Sequence, residues 1–160
     1  YVGADRLLQK LKPSVRYFGG DEIIDDLASG KICLAISYSG DLAQARSQGQ
    51  ENGEEIVLVN PNEGAQMWTD LMAIPVDSGD VASVHKLIDF LLRPKIMARI
   101  SNKVEYANPV PSSWAMVNES IRNDQALFPN AEAQKKLYTQ YLLTDAMEKI
   151  QERIWKATKK

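Results

Sequence analysis

Apolar residues recur along this chain in two rhythms, one helical and one extended. Leu7, Leu8 and Leu11 fall at helical spacing until Pro13 ends the pattern, which predicts a helix over 5–12. Val15 to Phe18 reads as a short extended piece closed by Gly19-Gly20. Asp21 is expected to cap a helix that carries Ile23, Ile24 and Leu27 on one face, with Gly30 as its left-handed terminator. The unbroken apolar run Ile32 to Ile36 has the pattern of a strand buried on both faces. Ser39 is expected to cap a helix to about Gly49, and the polar stretch from Gln48 to Gly53 to form a surface loop. Ile56 to Val59 reads as a strand, Asn60 to Gly64 as a sharp turn, and Met67 to Ile74 as extended until Pro75.

In the second half a helix is predicted from near Asp80, carrying Val84, Leu87, Ile88 and Leu91. Pro94 suits the first position of another, through about Ser101. A proline-rich stretch from Asn108 to Pro111 precedes a short helix around Trp114, and Thr144 to Lys156 forms a helix with Met147, Ile150, Ile154 and Trp155 as its stripe. Strands alternating with helices argue for an α/β architecture with a mostly parallel sheet. No internal repeat or low-complexity segment interrupts it.

The 160 residues suffice for one domain with a hydrophobic core, and the 44% apolar and 25% charged fractions are those of a globular protein. A net charge of −2 offers no basic field for nucleic acid or an anionic membrane. The single cysteine, Cys33, lies in the run Ile32 to Ile36, where a buried inert thiol is expected. It can form neither a disulfide framework nor a cysteine-based metal cluster. No apolar stretch approaches a membrane span. Tyr1 to Asp5 reads as the approach to a helix inside a domain, so the native chain is expected to begin well upstream.

Two segments could carry chemistry. In an extended Met67 to Ile74, Trp68 and Asp70 would share a face. A carboxylate among apolar residues is costly unless paired, and a neighbouring ring is a poor partner for it. Both groups attract a cation, Asp70 by charge and Trp68 by its ring quadrupole. The plainer alternative is an Asp70 paired with arginine or capping a turn, and a core Trp68. In Ser37-Tyr38-Ser39-Gly40-Asp41 a strand feeds a helix start, where ligands gather in open α/β sheets. Tyr38 offers a ring and Asp41 a carboxylate, although Asp41 is also favoured there by the helix dipole alone. Together the segments suggest a box of rings and carboxylates suited to a flexible diamine or triamine.

Three segments, Ser37 to Asp41, Gly64 to Asp70 and Glu105-Tyr106-Ala107-Asn108, resemble in order the ligand-binding segments of periplasmic putrescine/spermidine-binding proteins. Framework segments such as Lys12 to Phe18, Asp26 to Gly30, Asn60 to Gly64 and Phe90 to Pro94 resemble the same family, so the likeness covers nearly the whole chain. It implies a periplasmic binding protein-like (type II) two-lobed α/β fold, with this chain as the C-terminal portion. Residues 1–69 would belong to the second lobe, 70–116 would cross into the first, and 117–160 would return. Tyr38, standing where relatives often have Trp, would stack on the ligand's methylenes. Asp41 and Asp70 would grip ammonium groups, and Trp68 and Tyr106 would complete the aromatic box. Glu105 stands where an apolar or aromatic residue is expected.

The resemblance further implies a monomer in the periplasm that binds a polyamine between its lobes, without a cofactor, and delivers it to an inner-membrane ABC permease. Catalysis is not expected: His85 is the lone histidine, no nucleophile motif accompanies it, and no phosphate-binding glycine loop or metal-ligand spacing occurs. A glycosidase pair of Asp41 and Asp70 needs more assumptions than cation capture. The remaining alternative is a transport protein or sensor of the same fold for another small cation. A site for an anion would bring Arg or Lys into the three segments, which contain none.

Overall fold

The computed structural model describes residues 1–159, and among them every regular element is helical. Helix α1 (Val2–Leu11) ends in a 3₁₀ turn, Lys12–Ser14, as Pro13 requires. Helix α2 (Glu22–Ala28) follows Asp21, but the Asp21 side chain does not cap it; instead the Glu22 carboxylate accepts from the Gly20 N–H at 3.3 Å. The expected terminator is present: Gly30 is left-handed, and the Lys31 and Gly30 N–H groups return to the Asp26 and Leu27 carbonyls. Helix α3 runs Ser39–Asn52, so Ser39 is its first residue and extended Tyr38 occupies the cap position. The predicted loop from Gln48 is helix as far as Asn52, and left-handed Gly53 ends it.

Helix α4 (Val81–Leu91) is capped by the Asp80 carboxylate, which accepts from the Ser83 N–H at 3.0 Å. Helix α5 (Pro94–Val104) starts on Pro94 as expected. A 3₁₀ segment, Pro111–Met116, carries Trp114, and two single turns escape the apolar pattern: α6 (Glu119–Arg122) and α7 (Ala131–Gln134). Helix α8 (Asp145–Lys159) packs against α1, where Phe18 meets Trp155 edge to face at 5.1 Å.

The core lies between α3, α5 and the segment that follows α5. Ala43, Ala98, Val117, Ile121 and Leu127 are buried together, with Leu58 and Phe128 against them. Arg46 and Asp124 pair at 2.6 Å beside this cluster. Helix α2 buries Leu27 and Ala28, and packs on α3.

The expected strands do not form ladders. Val15 to Phe18, Ile32 to Ile36, Ile56 to Val59 and Met67 to Ile74 are non-helical, and the only bridge among the described residues is a parallel one between Gln66 and Tyr138. Ile36 is 92% and Leu34 77% exposed, and Cys33 is exposed, not buried. The physical reason is that a strand needs a hydrogen-bonded partner along its edge, and among the described residues only the start of the Met67 run, beside Tyr138, has one. Ile56 to Val59 still keeps a two-residue rhythm: Ile56 and Leu58 are half-buried, Val57 and Val59 exposed.

The Gln66–Tyr138 bridge holds the segment leading into Trp68, through Met67 N–H to the Tyr138 carbonyl (2.8 Å) and Tyr138 N–H to the Ala65 carbonyl (3.1 Å). It depends on Gly64. There φ is +110°, and a Cβ would collide with the Lys136 carbonyl. Gly64→Ala is therefore expected to lower stability by about 2 kcal/mol in chemical denaturation, from backbone strain and loss of this close approach. Unchanged stability would show that the bridge does not need it.

Candidate functional site

The first turn of α3 is the fixed point of the site. Tyr38 precedes it in extended conformation, and Asp41 sits within it, where the helix dipole favours a carboxylate. Both Asp41 oxygens are engaged. The Tyr106 hydroxyl donates to Oδ1 at 2.9 Å, and the Ser37 hydroxyl to Oδ2 at 3.3 Å. Tyr106 reaches α3 from 65 residues further along the chain.

Tyr106 is delivered by the end of α5. Glu105, the helix's C-cap residue, is left-handed at φ 57°, an uncommon conformation for a residue with a side chain. Its carboxylate accepts from the Ser47 hydroxyl of α3 at 3.1 Å, so this departure from the expected residue type tethers the turn to α3. Beyond Tyr106, Asn108 bolts the loop down. Its amide donates to the Ser101 hydroxyl (2.8 Å), and its carbonyl oxygen accepts from the Val110 N–H and the Ser113 hydroxyl (both 2.9 Å). Ser101 and Ser113 are fully buried, so these bonds satisfy groups that would otherwise be costly.

Desolvation, the hydrogen bond to Asp41 and that carboxylate's charge, in that order, push the Tyr106 hydroxyl up to about 12. Tyr38 also lies near enough to act on it. The Tyr38 ring meets Trp68 edge to face, with centroids 6.5 Å apart. Tyr38, Asp41, Trp68 and Tyr106 are thus brought together. Asp70 is exposed, and among the described residues no hydrogen bond or ion pair joins it to this group.

The plainer reading of Asp41 as a first-turn aspartate agrees with its place in α3, whereas a core Trp68 and an arginine-paired Asp70 do not match the described residues. Trp68 is 56% exposed and is not core. Neither Asp41 nor Asp70 pairs with Lys or Arg among the described residues. Rings open to solvent beside a carboxylate without a cationic partner can receive an organic cation. The cluster is an open surface, with Tyr38 55% and Trp68 56% exposed. Among the described residues no helix is long and apolar enough to cross a membrane, and no group of His, Cys, Asp or Glu could hold a metal ion.

Sequence reasoning gave Ser37 no role. Its signal is spacing: a serine four residues before an aspartate at a helix start can reach that carboxylate. The Asn108 network is less legible, because its partners Ser101 and Ser113 lie on either side of the loop.

The family model described as bacterial extracellular solute-binding protein matches residues 2–139. The chain belongs to this family. It is similar to the putrescine-binding periplasmic protein SpuD of Pseudomonas aeruginosa, 40% identical over 85% of this chain and 38% of that protein. It is also similar to the putrescine-binding periplasmic protein PotF of Escherichia coli, 35% identical over 99% of this chain and 44% of that protein. The spermidine/putrescine-binding periplasmic protein of Escherichia coli is 31% identical over 80% of this chain and 36% of that protein. The chain therefore spans less than half the length of these curated relatives.

The raised Tyr106 value carries a signed prediction. The fold favours the neutral hydroxyl, so this contribution to stability is present below pH 10 and lost as pH rises from there through about 12. A tyrosinate absorbance titration should contain one late component that Tyr106→Phe removes; a Tyr106 that titrates like free tyrosine would refute the Asp41 contact.

Proposed function

We propose that this chain captures a polyamine, putrescine or spermidine, as part of a periplasmic solute-binding protein that delivers its ligand to an inner-membrane ABC permease. The observation that carries the reading is the pair of exposed rings, Tyr38 and Trp68, gathered beside Asp41 with no arginine or lysine among the described residues bonded to that carboxylate. The names of the similar proteins support the ligand class, and the family supports a binding role over catalysis.

In this reading Tyr38, Trp68 and Tyr106 flank the methylene chain, Asp41 holds one ammonium and Asp70 grips another. Each cation–π contact contributes roughly 0.5–2 kcal/mol, and a charge-assisted hydrogen bond roughly 1.5–3 kcal/mol. A micromolar site needs about 8 kcal/mol net, so several such contacts must act together. Asp70 stands apart from the other four, and closure of two lobes around the ligand is what would bring it in. The ligand's charge neutralises repelling carboxylates and shifts the population toward the closed form.

The fold reading belongs to the same proposal. The chain acts as the C-terminal portion of a type II two-lobed α/β protein, with 1–69 and 117–160 in the second lobe and 70–116 crossing into the first. The apolar runs Ile32 to Ile36 and Ile56 to Val59 then pair with strands from elsewhere in the polypeptide. Their exposure in this chain, 72% for Val57 and 92% for Ile36, supports a missing cover.

Two measurements test these claims. Tryptophan fluorescence of the whole protein should change saturably with putrescine or spermidine and not with an uncharged diol, and Asp70→Asn should weaken binding by roughly tenfold or more. Retained affinity in that variant sinks the role given to Asp70. Cys33 reports on the sheet: its thiol should react with a thiol reagent quickly in this chain alone and slowly in a protein of the relatives' full length. Equal rates would refute the pairing.

A further inference from the structure

We infer that Gly40 is a positioning residue of the candidate site, leaving the space in which the Tyr106 ring lies against the first turn of α3 and reaches Asp41. The inference deepens the polyamine reading and rests on it for its functional consequence.

Glycines usually occupy positions where the backbone requires them. Gly30, Gly53 and Gly64 in this chain all have positive φ. Gly40 does not, and lies within α3, where alanine is the better helix former. Backbone conformation therefore gives no reason for a glycine. Its surroundings do: Gly40 is buried, and a Cβ there would collide with Cδ2, Cε2 and Cζ of Tyr106. These three atoms span one edge of the ring through to the carbon that bears the hydroxyl. A ring flip leaves that edge occupied. Only a swing of the whole side chain clears it, and that swing carries the hydroxyl away from Asp41 Oδ1, 2.9 Å distant.

A side chain at position 40 thus separates two effects. The helix tolerates it, because the obstructing atoms belong to a movable side chain. The site does not, because Asp41 loses one of its two hydroxyl donors and Tyr106 leaves the neighbourhood of Tyr38.

The test uses Gly40→Ala, Tyr106→Ala and the double variant in the whole protein, with Tyr106→Phe as the spectroscopic reference. Without ligand, the late tyrosinate component of Tyr106 should move in Gly40→Ala toward the range of free tyrosine, while helical circular dichroism is unchanged. With putrescine, Gly40→Ala should weaken binding by roughly tenfold in the parent background and have no effect once Tyr106 is alanine. An unmoved tyrosinate component, or the same loss of affinity with and without Tyr106, overturns the inference. Should Gly40→Ala fail to fold, recovery of folding in the double variant supports the collision, and failure of both overturns it. If no variant, nor the parent, binds putrescine, the polyamine reading fails while the ligand-free titration still decides the role of Gly40.

Discussion

Helix α3 is placed by what its side chains lack. Its fully buried positions are Gly40, Ala43, Ala45 and Gly49, none larger than a methyl group. Neighbours therefore come close to its backbone along its whole length. Tyr106 lies over Gly40, Ala98 and Val117 gather around Ala43, and at Gly49 a Cβ would stand 2.7 Å from the Ile56 side chain. Close-packed interiors transmit small volume changes, so added volume on this helix would displace whatever rests on it. The elements held in this way come from distant parts of the sequence. Helix α3 joins the segment carrying Tyr38 to the helix that delivers Tyr106, and the Arg46–Asp124 pair adds a third tie.

Helices were the legible part of the fold because their signals are local. Proline starts, Asp80 and Gly30 are read from a few adjacent residues, and each stands where its chemistry requires. The exceptions are local too: Glu22 supplanted Asp21 at α2, and α6 and α7 are too short to show an apolar period. Strands failed for a different reason. The run Ile32 to Ile36 records what kind of neighbour it needs, and no residue in the run records whether that neighbour belongs to the same chain. Cys33 is exposed for this reason, although its immediate sequence is that of a core.

The site divides along the same line. Tyr38 and Asp41 lie just beyond a strand-like run and at a helix start, and that juxtaposition was visible. Tyr106 entered only through resemblance, since nothing within its own segment points to Asp41. Its position depends on the left-handed turn at Glu105 and the Asn108 network, both tertiary in origin. Asp70 was grouped with Trp68 by alternation along an extended segment. That segment has no ladder to fix its faces beyond Met67, and the alternation argument loses its footing there.

Under the proposed reading, the hydrogen bonds around Asp41 bear on why a cation would be favoured at this place. Both Asp41 oxygens accept from neutral hydroxyls, which bring no positive charge to the carboxylate, whereas an arginine would have done so. Tyr106 remains neutral up to strongly alkaline pH, so it orients Asp41 without adding charge of either sign. The rings of Tyr38 and Trp68 remain more than half exposed, with apolar area that no described residue covers. A methylene chain ending in an ammonium complements both features at once: its hydrocarbon covers the rings and its charge meets the carboxylate. A sugar could stack on the rings and hydrogen-bond the carboxylate but would leave its charge unneutralised, and an anion would be repelled by it.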